Sequence, residues 1–155
     1  MANTIYNQYK ENLITGAAPI ANSTDAYGVI LVTDSYTPGE GNVWADISGS
    51  ECADSDYIRQ PLAGVTVAKV VVGDGTGTDD YIKVDADDTT FGNNVTISAA
   101  GAVIVRNASG GSSPLGTPDS VVTYVDFGGT KSSTAGEFTI VWNTNGILQY
   151  KQGTV

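Results

Sequence analysis

The sequence predicts a mainly β fold, an antiparallel β-sandwich or barrel of about seven to eight strands with one amphipathic helix at the N-terminus. Three observations lead there. From Ala26 onward apolar residues recur with period two, the spacing of half-buried strands. Gly, Pro, Asn and Asp interrupt that pattern at intervals of roughly ten residues, which leaves no room for crossover helices. With 19 glycines, 41% hydrophobic and only 15% charged residues, the composition is that of a folded β protein with long polar loops, because disorder needs high charge density as well. The 155 residues suit a single β domain, residues 17–155, behind an N-terminal helix or arm, residues 1–16.

The elements follow in order. Ile5, Tyr9 and Leu13 recur at a spacing of four with Tyr6 beside them, which predicts an amphipathic helix of about three turns. Asn3 or Thr4 can cap its start, and Gly16 stands where it should stop. Tyr27, Val29 and Leu31 then share one face of a strand expected to run from Ala26 through Tyr36. Residues 37–56 read as loop, with one helical turn at Val43–Ile47 packing Trp44. Gly64–Val72 is a β-branched strand whose apolar side changes near Lys69, which predicts a bulge or burial on both faces. Tyr81–Val84 is a short strand. In Val95–Arg106, Val95, Ile97, Ala99, Val103 and Val105 share one face, with a kink marked by Ala100-Gly101. Asn107–Asp119 reads as a long loop. Val121–Phe127 and Glu137–Asn143 are strands, the second turning Phe138, Ile140 and Trp142 inward. Asn145-Gly146 predicts a type I′ turn that folds this strand back as a hairpin onto Ile147–Tyr150.

Composition restricts function. The chain has no histidine, one cysteine and seven Lys plus Arg against seventeen Asp plus Glu, so the usual groups for catalysis near neutral pH are scarce. A non-enzymatic protein without a cofactor is expected. A net charge of −10 argues against a nucleic-acid partner and against an anionic membrane surface. The cations (Lys10, Arg59, Lys69, Lys83, Arg106, Lys131, Lys151) are scattered, with no two adjacent. Residues 1–16 are polar and lack the apolar core of a signal peptide, so synthesis in the cytoplasm is expected, and Asn-X-Ser/Thr triplets at Asn22, Asn94 and Asn107 read as chance. No apolar run approaches the roughly 20 residues needed to span a bilayer.

Each chemical motif has a plainer reading beside it. The acidic runs Asp74–Asp80 and Asp85–Asp88 offer oxygen ligands to Ca²⁺. The first departs from an EF-hand loop, with Thr76 at the third position and Asp85 rather than Glu at the twelfth, so tight-turn chemistry is the preferred reading and no metal site is assigned. Carboxylate pairs suited to glycoside hydrolysis arise by chance among seventeen acids. Gly110-Gly111 and Gly128-Gly129 lack the surroundings of a phosphate loop. Cys52 lies beside Glu51 and near Asp54, which raise a thiol pKa, so an inert residue is expected. Eight tyrosines outnumber the three Phe and two Trp combined. Tyrosine suits surfaces that become buried at interfaces, so Ile5, Tyr6, Tyr9, Leu13, Tyr27, Tyr36 and Tyr57 are the candidate interface residues. Their alternative role is to edge the core.

The order of parts carries a resemblance. Met1–Gly16 fits an opening Met-Ala-Asn-x-Ile-Tyr-x-x-Tyr-Lys-x-x-Leu-x-x-Gly, followed by Val29-Ile30-Leu31-Val32 and Tyr36. Later come Val84–Phe91, a hydrophobic strand, Tyr124–Gly129, Phe138–Asn143 and Gly146-Ile147-Leu148. Over nearly the whole chain this resembles small virion structural proteins of tailed bacteriophages, through packing motifs that include no catalytic residues. The departures are the long loop Asn107–Asp119 and Glu51–Ile58. The resemblance implies a capsid decoration, or cement, protein on the capsid exterior, made in the host cytoplasm, forming a homotrimer and bridging subunits of the major capsid protein. A tail, neck or fibre component is the alternative within the virion, and a glycan-binding module the alternative outside it.

Overall fold

The computed structural model describes residues 4–16, 26–54, 56–72, 80–107 and 116–151. Strand outweighs helix there, 49% against 13%, and the sheets are antiparallel. There are ten strands among the described residues, more than the seven to eight expected. Four of them, β1 (Thr4–Ile5), β3 (Gln60–Pro61), β6 (Thr89–Thr90) and β9 (Thr139–Ile140), are only two residues long and hold no period for a sequence pattern to register. The others are β2 (Ala26–Val32), β4 (Thr66–Val70), β5 (Tyr81–Asp85), β7 (Val95–Asn107), β8 (Ser120–Gly136) and β10 (Leu148–Lys151), joined by helices α1 (Asn7–Thr15) and α2 (Trp44–Ile47).

The central sheet has the order β1-β8-β7-β2-β3 and is buried on both faces through β2 and the adjoining parts of β7 and β8, while Thr96 and Ser98 of β7 and most of the second half of β8 are exposed. Against one face lie the three-stranded sheet β10-β5-β4 and the pair β6-β9. The larger core sits between them, with Tyr27, Val29 and Leu31 of β2 meeting Val84, Phe91, Phe138, Ile140, Trp142 and Leu148. Against the other face lies a second core, Ile30, Val32, Val103, Val105, Val121 and Tyr124 packed with Tyr6, Tyr36 and Ile47. β2 thus alternates between two cores rather than between core and water, and it ends at Val32, short of the expected Tyr36.

In β7 the kink at Ala100-Gly101 changes more than direction. Val95, Ile97 and Ala99 belong to the larger core, but beyond the kink that core takes Ala102 and Ile104, while Val103 and Val105 enter the second. The five residues expected on one face therefore divide between two. The pairing with β8 shifts at the same place, Ala99 opposing Lys131 and Gly101 opposing Asp126, so that Phe127–Thr130 bulge out of β8. Such a break is what allows one long strand to serve both layers.

Helix α1 starts at Asn7, not near Asn3 or Thr4, with Tyr6 at the N-cap and no side-chain cap; Thr4 and Ile5 instead pair with β8. It ends as expected at Gly16, whose φ of 72° closes the C-terminus. The helix is only weakly amphipathic. Tyr9 is its one fully buried residue, Leu13 is partly buried, and Ile14 points outward at 86% exposure. β4 is uninterrupted in register and mostly exposed, so neither the bulge nor the two-sided burial expected at Lys69 occurs.

The terminal hairpin is also different. Phe138, Ile140 and Trp142 point inward as expected, but β10 pairs with β5 and β9 with β6. Asn145 does not take positive φ; Gly146 alone does, at 89°, closing a turn on the Asn143 carbonyl at 2.7 Å. A Cβ on Gly146 would lie 2.4 Å from Lys83 Cγ and 2.6 Å from the Val84 oxygen, so glycine lets the chain cross close over β5. Trp142 sets that path. Its backbone N–H donates to Asp88 Oδ1 (2.9 Å) and its indole N–H to the Asp87 carbonyl (3.1 Å), tying the segment to the β5–β6 turn instead of to β10.

Candidate functional site

The sequence-derived interface residues are placed inside the chain. Tyr6 and Tyr9 are 0% exposed, Tyr27 and Tyr36 are buried, and Ile5, Leu13 and Tyr57 pack partly buried on the larger core. They form two groups, because β1 and α1 cross the end of the central sheet and send one tyrosine to each core. Tyr6 enters the second core, where its hydroxyl and that of Tyr36 are 2.5 Å apart and Tyr36 meets Tyr124 edge-on at 5.6 Å. Tyr9 enters the larger core near Tyr27 and Tyr150. Tyr57 stacks on Phe91 at 5.8 Å and accepts the Leu31 backbone N–H at 3.0 Å. Burial is the main cause that holds the Tyr6, Tyr9, Tyr36 and Tyr57 phenols above their ordinary range. These rings anchor the fold, and the core role is the one the structure displays.

A polar cluster fixes the segment between β2 and β3. Arg59 makes two parallel hydrogen bonds to Glu51 (Nε to Oε1 2.8 Å, Nη2 to Oε2 2.7 Å) and a third to the Gly116 carbonyl (2.7 Å). Its guanidinium also lies 4.9 Å from the centre of the Trp44 ring. The bond to Glu51 raises the Arg59 pKa further. Beside it a cleft of about 380 Å³ is lined by Glu51, Cys52, Tyr57, Ile58 and Arg59. Cys52 is buried, and burial with Glu51 pushes its thiol up to about 11, as its neighbours in the sequence suggested. A thiol that stays protonated at neutral pH is a poor nucleophile. The cleft therefore combines an unreactive thiol with a cation already neutralised.

Asp80 and Asp85 of the acidic runs are engaged in turn structure. Asp80 accepts the Val72 N–H (3.0 Å) and faces Lys69 (3.3 Å), which together hold its carboxyl below the usual value. Lys83 (2.9 Å) does the same for Asp85, with help from the Ala86 N–H. Among the described residues no group of three or more acidic, Cys or His side chains is placed to hold a metal ion; Asp74–Asp79 lie outside them. Also among the described residues, no helix is long and apolar enough to cross a membrane.

What remains open to a partner is apolar and lies elsewhere. Of the eight exposed large hydrophobic residues among those described, four (Val67, Val71, Val72, Ile82) sit on the β4–β5 hairpin. The register places Val67, Val84 and Leu148 on one face with Lys69, Ile82 and Tyr150. Val84 and Leu148 are buried, but Val67 and Ile82 are each 46% exposed, so the apolar face of this sheet extends past the core it covers. A second exposed residue, Val141 at 74%, borders a cleft of about 260 Å³ lined with Phe127, Lys131, Phe138 and Ile140. Sequence reasoning missed both surfaces. Β-branched residues in period two read equally well as a buried strand, and only the packing reveals that nothing described covers this one. Comparison with protein-family models, with curated proteins and with solved structures gives no match to this chain.

Proposed function

We propose that this chain is a non-enzymatic structural protein of a tailed-phage virion, acting as a capsid decoration protein that binds and bridges major capsid protein subunits. The observation that carries the binding role is the contrast in how side chains are used. Tyr6, Tyr36 and Tyr57, the Arg59 cluster and the turn carboxylates of Asp80 and Asp85 are committed to internal bonds, whereas the β4–β5 hairpin and the Val141 rim present apolar surface to water. Exposed apolar surface of this kind marks association rather than reaction. The sequence resemblance supplies the identity of the partner. Deleting residues 1–16 would remove two fully buried tyrosines, so that variant would change stability along with any docking role of the segment.

Cryo-electron microscopy of purified particles tests this reading. Density for the chain repeated over the shell, with the hairpin or the Val141 rim against the capsid protein, is the expected result. Confinement to the tail or neck would replace it with the tail, neck or fibre reading, and absence from particles would overturn both. In a binding assay on bare capsids, Val141→Lys or Val67→Lys should lower occupancy while the folded state is retained.

A further inference from the structure

We propose that the outer edge of β4 is a homotypic interface, at which two copies of this chain pair antiparallel about a two-fold axis near Ala68 and join their three-stranded sheets into one. β4 is the last strand of the order β10-β5-β4, and its outer edge has no partner among the described residues. Natural edge strands are guarded by proline, bulges, extreme shortness or free charge, because an open row of backbone groups templates pairing. β4 keeps only one of these guards, a single charge. Its five residues run in unbroken register with β5 and contain no proline. That charge, Lys69, is 67% exposed and faces Asp80 of its own hairpin at 3.3 Å, which offsets it in part.

The choice of a second copy rests on charge and on self-complementarity. The chain carries −10, yet Thr66–Val72 contains no acid and one cation. Two copies of an acidic protein meet with least repulsion along such a strand, since charges beyond about 8 Å are screened at physiological salt. A basic partner would gain nothing there and would face Lys69. Antiparallel pairing about Ala68 sets Val67 opposite the aliphatic stem of Lys69 and Thr66 opposite Val70. The smallest of these side chains lies at the axis, where the backbones approach. The pairing extends the sheet sideways from β4, and an isologous contact closes on itself rather than growing into a fibre. The same hairpin is a candidate capsid contact, and the two roles are told apart by the readout, self-association of the free protein here and occupancy on capsids there.

The test is sedimentation of the full-length protein over a range of concentrations, with two kinds of variant. Wild type should dimerise reversibly. Val67→Lys should weaken the dimer by roughly tenfold or more through like charges brought opposite one another, with an unchanged melting temperature because Val67 is half exposed. Ala68→Cys should give a covalent dimer on mild oxidation, whereas Thr66→Cys, offset from its symmetry mate, should not; Cys52 is buried and does not interfere. A chain that stays monomeric, an assembly that survives Val67→Lys, or cross-linking of Thr66→Cys in preference to Ala68→Cys would each overturn the proposal.

Discussion

Replacing Gly101 with alanine tests the joint between the two cores. Gly101 sits where β7 changes faces, and the Tyr124 ring lies directly over it. An ideal Cβ there would be 2.4 Å from Tyr124 Cε2 and 2.6 Å from Cζ and Oη, well inside contact distance. The ring has nowhere to go. It is 1% exposed, packs edge-on to Tyr36 at 5.6 Å, and Tyr36 is in turn bonded to Tyr6 at 2.5 Å. Overpacking a tight core costs about 1–3 kcal/mol, and a ring fixed on its far side places this case toward the upper end. For a chain of this length that predicts a fall in melting temperature of roughly 5–10 °C. The assay is thermal and urea unfolding of Gly101→Ala, Tyr124→Leu and the double variant. Leucine removes the clashing ring atoms, so the alanine should cost far less in the Tyr124→Leu background than alone. A Gly101→Ala variant as stable as wild type, or costs that simply add, would refute the account of the joint.

The remaining predictions concern other parts of the scaffold. Arg59→Ala should cost about 2 kcal/mol and Arg59→Lys nearly as much, because an ammonium cannot bond both Glu51 oxygens, reach the Gly116 carbonyl and stack on Trp44; urea unfolding checks this. Trp142→Phe should destabilise by about 1–2 kcal/mol, since the indole N–H bonded to the Asp87 carbonyl and near the buried Thr89 hydroxyl is lost. Ala135, with φ of 46°, is the one described non-glycine residue in the left-handed region, and Ala135→Gly should raise stability by about 0.5–1 kcal/mol in calorimetry. Without histidine, stability should be nearly flat from about pH 6 to 8.5. The buried phenols and the Cys52 thiol have folded pKa values raised above their unfolded ones. Their contribution is therefore fully present below the unfolded values, about 9 for the thiol and 10 for the phenols, and is lost as pH rises through the folded ones. Phenolate absorbance followed with unfolding should show ionisation and loss of structure together above pH 10.

Much of the fold was legible because period two is a local signal. It located the inward faces of β2 and of residues 138–142, and Gly16 marked the end of α1. What was not legible was the existence of a second core. With one apolar layer assumed, Val95 through Val105 read as a single face, although a kink at Ala100-Gly101 was already visible in the sequence. The consequence of that kink depends on what lies above and below the sheet. The Asn145-Gly146 hairpin failed for a related reason. Its turn residues are adequate for pairing β9 with β10, but Asp87 and Asp88 hold Trp142 from 55 and 54 residues away, and a local turn signal carries no information about that competition. The candidate interface residues were chosen by residue type, and tyrosine serves a core edge as well as an interface; the hydroxyl pairs that decide between the two are long-range contacts, such as Tyr6 with Tyr36.

That outcome bears on where binding can occur in a chain of this composition. Several of the buried tyrosine hydroxyls are bonded to one another or to the backbone, Tyr6 to Tyr36 and Tyr57 to the Leu31 N–H, while those of Tyr9 and Tyr150 have no hydrogen-bond partner among the described residues. Such bonds tie α1, the segment after β2 and the segment before β3 to the central sheet, so the regions richest in tyrosine are the least free to rearrange. The β4–β5 hairpin is the opposite case. Among the described elements β4 packs mainly against β5, and Asp80, which accepts the Val72 N–H and pairs with Lys69, braces the two strands beyond their ladder. A hairpin that holds its own shape while leaving valines exposed can meet a partner without first unfolding, at low ordering cost. Disrupting that internal brace with Asp80→Asn should therefore weaken association more than it lowers the melting temperature of the two cores.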